Sequence, residues 1–584
     1  MSTSNNNKFL WKLNTRLRIS VLLIIILFLL AYQIFVTLNR YPDILENPKQ
    51  WWSDTTWSDT TDTSSPPQKP IIPAPIPPSS EYNKLGDDVV LYNVSSLTKI
   101  QYDFPYSSLK KQFIETKAER KLREDRKESI KKGFLHAWNG YVNYGWGSDE
   151  ILPITNTSRN NFNGWGATMV DALDTMWIMN LKAEFTNATN YLANVNFTNS
   201  RMEISVFETT IRYLGGLLSA YELSGKEILL IKAIELGEAM LVAFDTPSGL
   251  PYNDLNITRG SYKPIFRGVL SQVGTLQLEF MKLAELTGNS TFFYAVQKVT
   301  DVLDKASKEI PGLYPLYIDI EYGKFIGHQI SFGAMGDSFY EYLIKQYVYV
   351  GGAIDQYRRM YEESIDSMHK YLVKEGQVKD RPDLLFLGEY TSGRIGSFIS
   401  RMEHLSCFTP GMLAIGSKIL HRPKDLEVAI RLAESCYWAY NSTTTGIGPE
   451  SIYFLTKDAK AVSVWHNGDT LPDGLYRIDG SYLLRPETIE SLFILYRITG
   501  NKKYQEKGWK IWQSIEKWCK TPIAYSGLRD VMDEKRLQNN NMESFFLAET
   551  LKYLYLLFST PDVISLDNYV FNTEAHPFLR MTPK

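Results

Sequence analysis

The chain has no excess of positive charge: it contains 63 Lys and Arg residues and 65 Asp and Glu residues. A formal net charge of -2 gives no indication of nucleic acid as a partner. Cysteine is also scarce: Cys407, Cys436 and Cys519 are the only three in 584 residues, which permits one disulfide and leaves one thiol over. Because Cys407 and Cys436 lie in the same apolar region, we predict a disulfide between these two.

Several catalytic motifs are missing as well. The sequence contains no H-E-x-x-H, no phosphate loop, no G-x-S-x-G and no dinucleotide fingerprint. The absence of these motifs therefore excludes the enzyme classes whose catalysis depends on them. With 44% hydrophobic and 22% charged residues, the composition is that of an ordinary globular protein with a large core.

Long apolar runs are absent with one exception, residues 19–38. This stretch is long enough to cross a bilayer of roughly 30 Å as a helix. Four basic residues precede it and the first acid, Asp43, follows it, so the positive-inside rule leaves the N-terminus in the cytosol. A cleaved signal peptide is the alternative, but the stretch is too long and no small-residue cleavage site follows. We predict a cytosolic tail (1–18), a transmembrane signal-anchor (19–38) and a lumenal remainder.

A proline-rich segment follows the anchor. Residues 64–80 read SSPPQKPIIPAPIPPSS, a composition that favours extended polyproline II over a packed fold. We predict a lumenal stalk over 39–105 and one continuous domain over 106–584, because no second linker of this kind follows. Seven N-x-S/T acceptors agree with a lumenal location; they are Asn93, Asn156, Asn187, Asn196, Asn256, Asn289 and Asn441.

Three segments resemble one another, around Gly225, Gly288 and Gly500. In each, an apolar helical run is followed by Ser or Thr, then Gly, a polar pair and a second amphipathic helix. Glycine suits the left-handed position that ends a helix, so each segment is predicted to be a helical hairpin with a tight turn. Recurrence of such hairpins favours an all-α ring of helix pairs around a central cavity. Strand signals are scarce apart from residues 569–578.

Acids stand inside apolar helices at several places. In RPETIESLFILYR, Pro486 suits the first helical position, which puts Glu487 and Glu490 on one face of an otherwise apolar helix. Glu208 and Arg212 are spaced for an ion pair along a helix, among apolar neighbours. An ordinary helix pair is the alternative. Burial would raise the pKa of Glu208 and make it a candidate proton donor, while Arg212 would lower that pKa.

Other acids add to this pattern. Asp337 precedes an aromatic-rich helix, where an N-cap is the simpler interpretation. Glu549 lies inside an apolar helix with Phe545 one turn earlier, and Thr573 and Glu574 occupy the strand-like stretch, where an exposed strand pair is the alternative. Together they describe a cavity with carboxylates and aromatic faces, as a carbohydrate site has. Glycosidic hydrolysis needs one carboxylic acid to protonate the leaving oxygen and one carboxylate to activate water or attack the sugar.

The order of the motifs carries a family resemblance. The blocks NGWGATMVDALDTMWIMN, VFETTIRYLGGLLSAY, GDSFYEYLIKQ, EHLSCF, RPETIESLFILYR, FFLAETLKYLYLLF and FNTEAHPF follow one another from residue 163 to residue 578, within a likeness that begins at roughly residue 110. They resemble the signature blocks of the class I α-1,2-mannosidases, glycoside hydrolase family 47. The resemblance implies an (α/α)7 barrel closed by a C-terminal β-hairpin. It also implies inverting hydrolysis of terminal α-1,2-linked mannose from high-mannose N-glycans.

The same resemblance implies Ca²⁺ as cofactor. Thr573 matches the residue that binds the ion, and the remaining coordination comes from waters. Carboxylates matching Glu487, Glu490, Glu549 and Glu574 hold those waters. Hard oxygen donors and a largely hydrated ion are chemically reasonable for Ca²⁺.

Catalytic roles follow by the same residue-by-residue match. Glu208 resembles the proton donor, acting through a water, while Glu487 and Asp337 match the two candidates for the base. We prefer Glu487 as base and expect Asp337 near the leaving group. The positions that match sugar contacts are Arg212, His404, Arg485, Glu490, Phe545, Glu549 and Glu574.

One position departs from part of the family. Met335 stands where members of the endoplasmic reticulum that remove a single mannose have Arg, and where Golgi-type relatives carry an apolar residue. We expect a single-pass protein of the endoplasmic reticulum membrane that converts Man9GlcNAc2 to Man8GlcNAc2, with a Golgi location and trimming to Man5 as the alternative. The sequence gives no prediction of the oligomeric state.

Two rival functions stay open. Relatives that mark misfolded glycoproteins share the barrel and bind mannose without hydrolysis, but this chain retains the three candidate catalytic acids and the pair Cys407 and Cys436, which those relatives lack. Another toroidal glycosidase, acting on cell-wall glucan or mannan, is the second rival. The anchor, the stalk and the Thr573 segment favour N-glycan processing over it.

Overall fold

Helices of two kinds alternate along the chain in a computed structural model, which describes residues 113–262, 266–457, 471–535 and 537–581. The even-numbered helices are buried nearly all round, and the odd-numbered ones bury one face. In chain order they are α1 (Lys117–Tyr144), α2 (Ala167–Asp171 and Leu173–Ile178), α3 (Lys182–Leu192), α4 (Val206–Glu208, the π-helical turn Thr209–Leu214 and Gly215–Ser224), α5 (Glu227–Met240), α6 (Leu270–Gly274 and Gln277–Thr287), α7 (Ser290–Lys305), α8 (Asp337–Tyr349), α9 (Asp355–Tyr371), α10 (Thr409–Ile419), α11 (Pro423–Asn441), α12 (Glu487–Thr499), α13 (Lys503–Trp518) and α14 (the π-helical turn Phe546–Thr550 and Leu551–Leu557).

The predicted N-terminal elements lie outside these residues. This applies to the tail (1–18), the transmembrane signal-anchor (19–38), the stalk (39–105) and the acceptor Asn93. Over the part of the chain that is described, no helix is long and apolar enough to span a membrane.

The three predicted hairpin turns are confirmed. Gly225, Gly288 and Gly500 end helices with left-handed φ values of 68°, 70° and 70°. The N–H of each glycine donates to the carbonyl four residues earlier. A β-carbon at any of them would meet no atom within 4 Å, so backbone conformation and not space explains the glycine.

The buried helices contact one another in sequence. Each of α2, α4, α6, α8, α10 and α12 contacts the next even-numbered helix, and the π-helical turn of α14 contacts α2. Each odd-numbered helix from α5 onward packs on the buried helix that precedes it. The predicted class of paired helices is therefore confirmed.

Strands are more numerous than the sequence analysis predicts. The described residues contain small antiparallel sheets ordered β1-β2, β3-β4-β5, β6-β7-β8, β9-β12-β13, β10-β11, β14-β15-β16 and β17-β18. None exceeds five residues, which is too short for apolar alternation to mark them. Their bounds are Glu150–Leu152, Thr157–Arg159, Ile204–Ser205, Asp254–Asn256, Ser261–Tyr262, Arg267–Val269, Tyr317–Asp319, Lys324–Ile326, Gln329–Ile330, Val373–Glu375, Leu385–Leu387, Glu389–Thr391, Ser397–Ile399, Arg401–Glu403, Ser451–Phe454, Leu475–Asp479, Tyr569–Phe571 and Pro577–Leu579.

The last hairpin touches the buried helices. Its strands pair from Tyr569 opposite Leu579 to Phe571 opposite Pro577. Strand β17 contacts α8, and β18 contacts α4. The turn between the strands thereby reaches the centre of the helical assembly, and it carries Thr573 and Glu574.

A second, smaller core lies beside the main one. It contains the disulfide between Cys407 and Cys436, as predicted, packed with apolar residues of β11, β14, β15 and β16. Cys407 belongs to the short helix His404–Phe408, and Cys436 belongs to α11. Cys519 is buried in the main core instead.

Candidate active site

A cavity of about 360 Å³ opens among the buried helices. Its wall is formed by the starts of α4, α8, α12 and α14 and by the β17–β18 turn. Every residue that is predicted to act in catalysis, contact the sugar or bind the metal lines this cavity, except His404. These lining residues are Glu208, Arg212, Asp337, Arg485, Glu487, Glu490, Phe545, Glu549, Thr573 and Glu574.

Helix α12 brings two acids to the cavity in its first turn. The helix begins at Glu487, one residue later than predicted, with Pro486 as the capping residue. The Pro486 carbonyl accepts the first helical hydrogen bond, from Glu490 N, at 2.9 Å. A helix N-terminus favours negative charge, so carboxylates are suited to this position.

Glu487 is held by a buried histidine. Nδ1 of His404 lies 2.6 Å from Oε2 of Glu487, and Nε2 of the same ring lies 2.6 Å from the Tyr440 hydroxyl. Burial on its own raises the pKa of Glu487, but the His404 hydrogen bond and the positive charge of Arg485 outweigh it and leave the pKa below its ordinary value. Glu487 is therefore an ionised carboxylate facing a sugar-sized cavity.

Asp337 differs from Glu487 in that its pKa is raised. It is the first residue of α8 and not the N-cap, a position that Gly336 occupies. Its Oδ1 accepts from Ser338 N at 2.9 Å. Burial, and then the nearby carboxylates of Glu341 and Glu487, raise the pKa of Asp337 to about 7. One cavity thus holds carboxyl groups with well-separated pKa values.

Arg212 joins two acids that line the cavity, Glu208 on α4 and Glu574 in the β17–β18 turn. Its Nε donates to Glu208 Oε2 at 2.9 Å, as the predicted spacing requires, although Arg212 lies in a π-helical turn. Its Nη1 pairs with Glu574, donates to Ser544 Oγ at 3.2 Å and lies 3.5 Å from Asp171. Burial lowers the pKa of Arg212, but the surrounding carboxylates hold it well above its ordinary value.

Three further carboxyls are buried close together. Burial, and then like charge, raises the pKa of Glu490 to about 8 and those of Glu549 and Glu574 well above the ordinary range. The largest like-charge effect on Glu549 comes from Glu574, and Glu487 and Glu490 follow. A divalent cation among these groups would favour their ionised forms.

Thr573 lies beside this cluster. Its hydroxyl donates to Glu341 Oε2 at 2.8 Å, and its N–H donates to the Tyr342 hydroxyl at 3.2 Å. In the described ranges, no three His, Cys, Asp or Glu side chains are grouped closely enough to hold a metal ion directly. The oxygen donors that surround Thr573 are nevertheless of the hard type that Ca²⁺ prefers.

Several residues that support the site were not predicted from the sequence. Glu341 and Lys345 form a buried ion pair on α8, one and two turns after Asp337. Their four-residue spacing in GDSFYEYLIKQ is a signal that could have found them. Glu450 stands in a loop and has no such signal; its two carboxylate oxygens share the single Nε hydrogen of Arg485, at 2.8 and 2.7 Å.

Two apolar groups complete the wall. Phe545 is 9% exposed, and the guanidinium of Arg212 lies 5.7 Å from its ring centroid. Met335 lines the cavity with a φ of 72°, and its sulfur lies 3.2 Å from the Tyr317 hydroxyl. At 42% exposure, Met335 presents a thioether to anything that enters the cavity.

Comparison with known proteins identifies the family. The model of glycosyl hydrolase family 47 matches residues 133–580. An endoplasmic reticulum mannosyl-oligosaccharide 1,2-alpha-mannosidase of Homo sapiens is 40% identical over 465 residues, so that the match spans 78% of this chain and 64% of the human protein. A mannosyl-oligosaccharide 1,2-alpha-mannosidase of Arabidopsis thaliana is 42% identical over 468 residues, 78% of each chain.

A solved structure agrees with these matches. The alpha-1,2-mannosidase from Trichoderma reesei superposes with a TM-score of 0.75 at 32% identity, over 78% of this chain and 99% of that chain. The similarity therefore extends through the whole of a known α-1,2-mannosidase. The family that the order of the motifs indicates is confirmed: the chain belongs to glycosyl hydrolase family 47.

Proposed function

We propose that this protein is a mannosyl-oligosaccharide 1,2-α-mannosidase, which hydrolyses terminal α-1,2-linked mannose from high-mannose N-glycans. The observation that carries the proposal is the contrast between Glu487, held ionised, and Asp337, with a pKa of about 7, in one cavity. Because a base must be ionised to take a proton, this contrast favours Glu487 over Asp337 among the two candidate bases. The names of the human and Arabidopsis relatives support the substrate class.

The proposed mechanism is inverting hydrolysis. Glu487 acts as the base that takes a proton from the attacking water, which its ionised state supports. Glu208 delivers a proton toward the leaving oxygen through a water, and Asp337 lies near the leaving group. Phe545 packs under the terminal mannose, beside Arg212. An inverting pair of carboxyls needs roughly 6.5–9.5 Å between them to admit the water.

The proposal includes Ca²⁺ beside Thr573. Glu487, Glu490, Glu549 and Glu574 would hold its coordinating waters, and their mutual burial and repulsion support a cation among them. When bound, the ion would supply positive charge that attracts the hydroxyl oxygens of the sugar. The chain's own residues would still supply the base, the proton and the aromatic contact.

The proposal also covers the closure of the helical barrel and the cellular location of the protein. We propose that the helix pairs form an (α/α)7 barrel closed by the β17–β18 hairpin, which the contacts of that hairpin with α4 and α8 support. Residues 19–38 would anchor it in the endoplasmic reticulum membrane with the catalytic domain in the lumen. Met335, which lines the cavity, supports the alternative of a Golgi-type enzyme that trims to Man5.

The test is a timed digestion of Man9GlcNAc2 by the full chain, with Ca²⁺ or with EDTA, read by mass. We expect loss of mannose with Ca²⁺ and none with EDTA; one Man8 isomer indicates the endoplasmic reticulum type, and Man5 the Golgi type. Glu487→Gln should lose about 10²–10⁴-fold in rate while still binding the glycan. A folded wild-type chain that binds Man9GlcNAc2 without cleaving it would instead be a lectin. Cleavage of glucan or mannan but not of Man9GlcNAc2 would favour the other glycosidase.

A further inference from the structure

Two stretches without charged residues meet on the surface of the protein. Residues 139–147 contain the end of α1, and residues 185–199 contain most of α3. Their meeting point is a pair of rings: the centroids of Trp146 and Tyr191 lie 5.6 Å apart at an interplanar angle of 73°. Neither residue lines the active-site cavity.

We call Trp146 and Tyr191, together with Val142 and Tyr144, which lie within four residues of Trp146 in the sequence, the Trp146 patch. These four side chains are 37%, 36%, 40% and 42% exposed, so each keeps a large apolar surface in contact with water. Trp146 is also fixed from below, because the rings of Trp138 and Tyr141 lie 6.1 and 6.3 Å from it. A rigid, uncharged aromatic surface of this kind indicates a binding role.

Asn187 lies on the same flank of α3 as Tyr191. It is exposed and begins the acceptor sequence Asn-Ala-Thr. Tyr191 follows four residues later, so the two side chains are neighbours along the helix. Side chains lean toward the N-terminus of a helix, which directs the Tyr191 side chain toward the turn that carries Asn187.

We propose that Asn187 carries an N-linked glycan whose first sugars cover Tyr191 and Trp146. A sugar ring has one face of C–H groups, which an exposed aromatic ring can remove from water, and its hydroxyls can stay solvated at the edge. The absence of charged side chains from both stretches removes competing ion pairs. Attachment requires the lumenal location of the proposed function, and the inference rests on that part of it.

Asn289 provides a matched control. It is an exposed acceptor in Asn-Ser-Thr, and its side chain caps α7 by accepting from Thr291 N at 3.0 Å. The aromatic residue four positions later, Phe293, is fully buried. A glycan on Asn289 therefore has no exposed ring at the corresponding position.

The experiment uses the full chain purified from a eukaryotic secretory host. Peptide mass mapping measures the occupancy of Asn187, and hydroxyl-radical footprinting measures oxidation of Trp146. We expect a glycan on Asn187 and an increase of about twofold in Trp146 oxidation in Asn187→Gln, since oxidation follows the exposed area of the ring. Asn289→Gln should leave Trp146 oxidation unchanged. In protein made without glycosylation, Asn187→Gln should have no effect.

An unoccupied Asn187 in a chain glycosylated at other acceptors would overturn the inference and leave the lumenal location standing. An occupied Asn187 whose loss does not change Trp146 oxidation would also overturn it. If no acceptor is occupied, both the inference and the lumenal location fail. Mannosidase activity is measured separately on Man9GlcNAc2, so failure of the proposed function is distinguishable from each of these outcomes.

Discussion

His404 Nδ1 lies 2.6 Å from Glu487 Oε2, and this contact joins two elements that are far apart in the sequence. Glu487 begins α12, whereas His404 begins the short helix that carries Cys407 of the disulfide. Tyr440, on the other ring nitrogen, comes from α11, one turn after Cys436. The disulfide and the hydrogen bond between His404 and Tyr440 therefore join the same two segments, the short helix His404–Phe408 and α11, next to the proposed base Glu487.

Removing His404 should shift the acid limb of the pH profile. Without its hydrogen bond, burial dominates and the pKa of Glu487 rises. A base must be ionised, so kcat/KM of His404→Ala should begin to fall at a higher pH than that of the wild type as the pH is lowered. His404→Gln, which can still donate, should shift less. An unchanged acid limb in His404→Ala would mean that Glu487 is not the base.

Asp337 should govern the basic limb. Its pKa of about 7 means that it loses its proton as the pH rises through neutrality. An ionised Asp337 beside the leaving group would repel the negative charge that develops on the leaving oxygen, so we expect kcat/KM to decline above about pH 7. Asp337→Asn, which cannot ionise, should lack this limb while having a lower maximum rate. The measurement is kcat/KM against pH for both proteins. A basic limb retained in Asp337→Asn would assign it to another group.

Calcium should stabilise the fold increasingly as the pH rises. Asp337, Glu490, Glu549 and Glu574 have raised pKa values, so the folded state binds more protons than the unfolded state above about pH 4, and stability falls as the pH rises toward about 8. Ca²⁺ bound among ionised carboxylates offsets this loss. Melting temperatures with Ca²⁺ and with EDTA should therefore diverge from pH 5 to pH 8. A difference that is constant or absent would contradict a cation in this cluster.

The hairpin turns should depend on backbone conformation alone. Gly225→Ala places a β-carbon at a φ of 68° with nothing within 4 Å of it. We expect a loss of about 1–2 kcal/mol in the free energy of unfolding from the left-handed conformation. Gly225→Asn should cost less, because Asn tolerates this region. Chemical denaturation measures both, and equal losses in the two variants would contradict the assignment.

Much of the fold could be predicted from the sequence because helix ends and helix starts depend on residues that are close together in the chain. The glycines at 225, 288 and 500 end helices as predicted, since one residue decides the turn. The acid-bearing helix starts were found because an acid in an apolar helix is conspicuous. The short strands were not predicted because two to five residues are too few to show an alternation of apolar and polar side chains. The predicted start of α12 at Pro486 differs by one residue from its observed start at Glu487.

The environment of each acid was not readable, because it depends on contacts between distant segments. Sequence alone left the base open between Asp337 and Glu487. Their pKa values separate only through burial and through His404, which lies 83 residues before Glu487. Tyr440 is likewise one of many tyrosines in the chain until its hydroxyl is seen against His404.

The most direct test of an inverting mechanism with Glu487 as base is the anomeric form of the first mannose released from Man9GlcNAc2, measured by proton NMR before mutarotation. An ionised Glu487 that activates water on the face opposite the leaving group predicts β-mannose. Release of α-mannose would contradict the inverting mechanism and the assignment of Glu487 as base. No release from a folded, Ca²⁺-loaded chain would contradict the mannosidase function itself.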